Sequence, residues 1–123
     1  VEGGAVVARA RASLGVPFRL HGRDGAGLDC VGLAAHALRL EAPSGYPLRG
    51  GEPALVRARL DSVLHPVEGP PVAGDLLMMR TGPGQLHLGI WTGAGLVHAD
   101  AGLRRVAERP GAPPWPVLGC WRR

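Results

Sequence analysis

The chain has 123 residues, 46% of them apolar and 20% charged, a composition that suits one globular domain with a real core and is too short for two. The formal charge is +4 and all fourteen basic residues are arginine, a balance that suits an anionic partner. The arginines are scattered and aromatic residues reach only 4%, which argues against nucleic-acid binding.

No apolar run nears the roughly 20 residues of a membrane span, and no signal-peptide pattern opens the sequence. Two cysteines, Cys30 and Cys120, without a CxxC pair leave room for one long-range disulfide but give neither a disulfide framework nor a structural zinc motif.

Residues 4–14 place Val6, Val7, Ala10 and Leu14 at helical spacing, with Gly15 as the stop. A Gly-rich loop, "GVPFRLHGRDGAGLD", leads to a second helix starting near Asp29, a good N-cap residue. Its apolar body is Val31, Leu33, Ala34, Ala37, Leu38 and Leu40, and it ends before Pro43. Turn chemistry fills 43–53. A third helix begins at about Pro53, with Ala54, Leu55, Leu60, Val63 and Leu64 as its expected buried side.

From Asp75 the period changes to two. "DLLMMR", "QLHLGIW", "GLVHA", "LRRVAE" and "PVLGCWR" read as five antiparallel strands. Helices first and strands second make the class α+β, one domain over 1–123, with N-terminal helices packed on a C-terminal antiparallel sheet of about five strands.

Chemistry concentrates in few residues. Cys30 opens the second helix, where unpaired N–H groups and the helix dipole favour a thiolate. In "QLHLGIW", His87 lies on the face opposite Leu86, Leu88 and Ile90, beside Gly89, which is expected to leave open space. A two-residue hairpin loop at Gly93–Ala94 sets Thr92 against Gly95 and His98 against Gly89, on the face of His87. The two imidazoles then come within hydrogen-bonding reach.

A thiol, a base and an orienting group form the logic of nucleophilic catalysis, with the Cys30 N–H facing the developing oxyanion and an imidazolium further favouring the thiolate. The same three residues could instead ligate zinc. The other candidates are blander. Cys120 reads as a small apolar strand residue, His36 as surface or packing, and His65 as a solvated connector residue. His21 could line the cleft, and Trp91 and Trp115 could flank it or fill the core.

"GVPFRLHGRDGAGLDCVGL", "GDLLMMR", "HLGIWTGAGLVHA" and "VLGCWRR" together resemble the NlpC/P60 cysteine peptidases over nearly the whole chain. "GAGLDCVGL" looks most like the variant of phage-tail and gene-transfer-agent modules. The resemblance implies a papain-like core, no cofactor, and hydrolysis of bacterial peptidoglycan stem peptides, typically after D-γ-glutamyl. It assigns Cys30 as nucleophile, His87 as base and His98 as orienting residue. Asp29 matches the family and would cap the helix, bind the substrate's amino group, or both.

Phe18 stands where the family commonly has Tyr, Val31 where it has Ser, and Leu20-His21-Gly22 where it has Trp-Gly-Gly. These departures bear on the substrate-binding set of Phe18, His21, Asp29 and Val31. Two rival readings follow: a silent structural or wall-docking module of a phage-tail-like particle, and an amidase or acyltransferase on a non-wall substrate. Particle proteins are then possible partners, and the site of action is the cell wall, with the route to it left open.

Overall fold

The computed structural model describes residues 2–41 and 52–123; the turn segment expected at 43–53 falls outside these up to residue 51. Helix α1 (Glu2–Ala12) buries Val6, Val7 and Ala10. Leu14, expected on the same face, lies beyond the helix end and is 42% exposed. The chain turns there at Gly15, whose φ is +86 and whose N–H donates to Val106 O at 2.9 Å.

A short antiparallel ribbon, β1 (Arg23–Asp24) and β2 (Gly27–Leu28), precedes α2 (Cys30–Leu38). Asp29 caps α2 by accepting the Gly32 N–H through Oδ1 at 2.8 Å, as its residue type predicts. Gly32 has its own reason. A Cβ there would sit 2.0 Å from the Gly22 carbonyl oxygen, so the ribbon loop packs backbone-first on the opening turn of α2.

Helix α3 (Pro53–Asp61) has Pro at its start, as expected, but no residue within it is buried. Leu55 is 68% and Val63 54% exposed, and Ala54 is also exposed. Only Leu64 of the expected set is buried, while Val56 and Leu60 pack partly on the core. The helix lies along the sheet's edge, beside β3 (His65–Pro66) and β8 (Val117–Arg122), and so touches the protein along a narrow line. There the Arg57 guanidinium stands over the Trp121 ring, and Trp121 Nε1–H donates to Asp61 at 2.8 Å.

The main sheet has six strands in the order β3-β8-β4-β5-β6-β7, with β4 (Leu76–Gly82), β5 (Gln85–Trp91), β6 (Gly95–Asp100) and β7 (Arg105–Pro110). The sixth strand, β3, pairs His65 with Arg122 and Pro66 with Trp121. Two residues, one of them proline, carry no period-2 signal, so the sequence reads them as a connector.

Strand alternation sorts the core. Leu76, Met78, Leu88, Ile90, Val97 and Trp121 face α1 and α2 with Ala10, Leu33 and Leu38. Leu77, Met79, Leu96 and Cys120 form a second cluster with Trp91 and Trp115. Gly89 belongs to that second face, and its expected open space is filled: a Cβ there would lie 2.6 Å from the Leu96 side chain.

Two features of the sheet position the site. The hairpin forms as expected, with Thr92 N–H donating to Gly95 O at 2.9 Å and with Ile90 opposite Val97 and Trp91 opposite Leu96. The β5–β6 ladder comprises only those two pairs, whereas β4–β5 pairing runs on to Gln85. Below Ile90 the strands β5 and β6 therefore part.

Candidate active site

A cleft of about 660 Å³ opens where β5 and β6 part, lined by Cys30, His87, His98, Phe18, His21 and Trp115 among others. Cys30 reaches it from the first residue of α2. The main chain explains how. Trp91 N–H donates to Asp75 O, and Trp91 O accepts from Gly74, so the backbone groups of Trp91 point toward β4. Alternation turns those of Leu88 toward β6, outside the two-pair ladder. The Leu88 amide acts instead on the Cys30 sulfur, as do the N–H groups of Cys30 and Val31.

His87 Nε2 and His98 Nδ1 are 3.0 Å apart. Their rings meet edge to face, with centroids 5.1 Å apart and planes at 90°. Trp115 closes the group, its ring 5.4 Å from each imidazole and also edge-on. His98 is buried and His87 half-buried. On the far side of His98, Nε2 is 3.9 Å from Asp100 Oδ2.

The electrostatics differ from the expected thiolate–imidazolium pair. Burial pushes the Cys30 thiol up to about 12, and the nearby Asp29 charge adds to it. The Leu88, Cys30 and Val31 amides pull the other way without prevailing. Burial also draws His87 down to about 4, helped by His98 and opposed by Asp100. His98 is lowered too, by burial first, with Asp100 raising and Arg109 lowering it. The helix N-terminus acts in the direction the sequence implies, but desolvation is larger. With these directions the thiol and the imidazole on this cleft both rest neutral.

The expected substrate-binding residues divide. Phe18, His21 and Asp29 line the cleft. Asp29 is 2% exposed; besides its cap bond it accepts from Arg23 Nη1 at 3.1 Å and from the His21 N–H at 2.8 Å. It thus ties the loop to the helix. Val31 lines a different groove, of about 300 Å³, with Ala34, Leu38, Leu60 and Leu88. One residue along a helix turns the side chain about 100°, which carries Val31 off the Cys30 face.

His36 and His65 are exposed. Both cysteines are free, and Cys120, buried among apolar side chains, also places Sγ 3.4 Å from Asp75 Oδ2. Among the described residues no group of three or more His, Cys, Asp or Glu side chains is spaced to hold a metal ion, and no helix is long and apolar enough to cross a membrane.

Of the two tryptophans offered as flanking the cleft or filling the core, Trp115 lines the cleft and Trp91 packs on the second cluster; Asp100 is a cleft residue beyond the expected site. Asp100 had a signal, since it follows His98 by two residues on one strand and shares its face. For Trp115 the spacing left the two roles open, because it precedes β8 in a loop with no period.

No family profile matches the chain, and no curated protein matches it in sequence. Solved structures do. NlpC1 from Trichomonas vaginalis superposes with a TM-score of 0.76 at 20% identity over 98% of this chain, which spans 44% of that protein. The NlpC/p60 domain of the peptidoglycan hydrolase SagA gives 0.72 at 23% identity, covering 100% of both chains. RipD from Mycobacterium tuberculosis, named as a non-catalytic NlpC/p60 domain protein adapted to peptidoglycan binding, gives 0.61 at 18% identity over 100% of this chain and 97% of its own. With helices, sheet and cleft described above, the chain has the NlpC/P60 fold.

Proposed function

We propose that the chain, acting as one domain, is a cysteine peptidase that hydrolyses amide bonds in peptidoglycan stem peptides, after D-γ-glutamyl. The observation that carries this reading is the meeting of Cys30 with the bonded pair His87–His98 on one cleft. The fold shared with the domain of SagA, a peptidoglycan hydrolase by name, supports the substrate class.

In this mechanism His87 Nε2–H donates to His98 Nδ1, which leaves Nδ1 of His87 as the basic nitrogen. The Cys30 sulfur attacks the amide carbonyl carbon as its proton passes to His87 Nδ1. Because the pair rests neutral, transfer accompanies attack rather than preceding it. The Cys30 N–H at the head of α2 stabilises the oxyanion. Collapse breaks the C–N bond, and His87 returns its proton to the leaving amine. Water then attacks the thioester, giving its proton to His87, and the thiol is released as the carboxylate product leaves. Asp29 lies on the cleft as a candidate for the substrate's amino group, with Phe18 and His21 shaping the wall. Beyond the chain, the proposed partner is a phage-tail-like particle that delivers the domain to the wall.

The test is digestion of purified peptidoglycan followed by fragment masses. Release of stem-peptide fragments by the wild type and not by Cys30→Ala is the expected result. Identical fragments from both, or none from either, overturn the assignment. A second reading, a silent wall-binding module, draws on the sulfur's burial and on the naming of RipD. Wall sedimentation of the chain without any cleavage would select it. Cleavage of a simple amide but not of peptidoglycan would select an amidase or acyltransferase on another substrate.

A further inference from the structure

We infer that Asp100 is a positioning residue, setting through His98 which nitrogen of His87 carries the proton; this rests on the peptidase reading above. The geometry holds Asp100 for that task. It ends β6, and its Oδ1 accepts the Leu103 N–H at 3.0 Å, which holds the carboxylate with Oδ2 3.9 Å from His98 Nε2, an electrostatic contact longer than a hydrogen bond. Gly102 approaches the same carboxylate so closely that a Cβ there would lie 3.2 Å from Oδ1.

The logic is one of tautomers. The single bond between His87 Nε2 and His98 Nδ1 can run either way. If His98 carries its proton on Nε2, that N–H faces the carboxylate. Nδ1 then accepts from His87, and His87 Nδ1 is a lone pair ready for the thiol proton. If His98 carries its proton on Nδ1, it donates to His87 Nε2. The His87 proton then sits on Nδ1, and His87 cannot serve as base. The negative charge of a fixed carboxylate 3.9 Å from Nε2 favours the proton on that nearer nitrogen, so Asp100 selects the first arrangement.

The other groups facing His98 do not make this choice. His87 on β5 fits both arrangements, Trp115 meets the imidazole as a T-shaped ring pair, and Arg109 on β7 only opposes positive charge. Cys30 lies across the cleft on α2. Asp100 raises both imidazoles while Arg109 lowers His98, so removing the carboxylate shifts both histidines further down.

The two obvious variants separate this role from a structural one. Asp100→Asn keeps an oxygen for the Leu103 N–H, which obliges the NH₂ to face His98 and favours the wrong tautomer. Asp100→Ala merely removes the preference. Nitrogen-15 imidazole spectra of the full chain read the tautomers without reference to activity. Expected at pH 7 are Nε2–H forms of both His87 and His98 in the wild type, and an Nδ1–H His98 in Asp100→Asn. The same variant is expected to lose at least about tenfold in kcat with KM near wild type, by analogy with wrong-tautomer triads, and Asp100→Ala less.

An Nδ1–H His98 in the wild type overturns the inference. So does an Asp100→Asn protein that keeps its tautomers and its kcat, or one that changes only KM, which would make Asp100 a substrate contact. Tautomers that respond as expected in a wild type that does not cleave peptidoglycan sink the peptidase reading and leave the positioning role standing.

Discussion

His87 Nε2 and His98 Nδ1 stand 3.0 Å apart with ring planes at 90°, so the contact is a directed hydrogen bond rather than a stack. Each ring fixes the rotation of the other. His98→Ala is therefore expected to lower kcat on a soluble stem peptide by roughly 10²-fold or more, with a smaller change in KM. A melting curve near that of wild type separates this from misfolding.

The acid limb of kcat/KM is expected near pH 4 rather than near the ordinary histidine value of 6.5, because burial and then His98 hold His87 down to about 4. The base must be neutral, and burial keeps it neutral at pH values where a solvated imidazole would be charged. A limb at 6 to 7 would mean that water reaches the ring. Trp115→Ala, which opens the pair to solvent, is expected to move the limb upward.

Alkylation tests the thiol. Burial raises both Cys30 and Cys120 to about 12, so iodoacetamide is expected to label the folded chain slowly at pH 8, where a solvated thiol reacts readily. Peptide masses after a timed quench report each cysteine. The same shift has a sign for stability. The unfolded thiols lose their protons near 9 while the folded ones keep them to about 12, so stability falls as pH rises through that window.

Asp75 governs the acid side. It is fully buried and holds Arg122 through bonds of 2.8 and 2.9 Å. Burial raises its carboxyl, but Arg122, the Val72 N–H and the Cys120 thiol together hold it below its ordinary 3.8. A depressed native value contributes stability above the unfolded value, and that contribution is lost as pH falls through the native one. Asp75→Asn is expected to be less stable at pH 7 and to flatten the acid arm of the stability profile. Urea midpoints from pH 2 to 7 measure both.

Gly32→Ala is expected to cost about 1–3 kcal/mol by overpacking, despite alanine's better helix propensity, since its Cβ would meet the Gly22 carbonyl at 2.0 Å. Denaturant midpoints give the loss. The relief available is a shift of the opening turn of α2, so activity is expected to fall as well.

Much of this was legible in the sequence. Period-2 runs gave five strands, Asp29 and Pro53 marked helix starts, and the Gly93–Ala94 loop fixed which face His98 shares with His87. The rest lay in relations that period does not encode. The exposure of Leu55 and Val63 follows from α3 lying at an edge, and β3 is too short to signal. Leu96 fills the space beside Gly89 from a neighbouring strand. The neutral thiol reflects burial, which spacing cannot report: a helix start says which way the sulfur's proton is biased, and the burial of Cys30 decides how far.

The parting of β5 from β6 has a mechanical consequence. Over that interval the Leu88 peptide answers to the head of α2 instead of to a neighbouring strand, and Leu88 is bonded in sequence to His87. The residue next to the proposed base thus also favours negative charge on the proposed nucleophile. A substitution that moves β5 at Leu88 therefore changes the electrostatics of the sulfur and the placement of the imidazole at once.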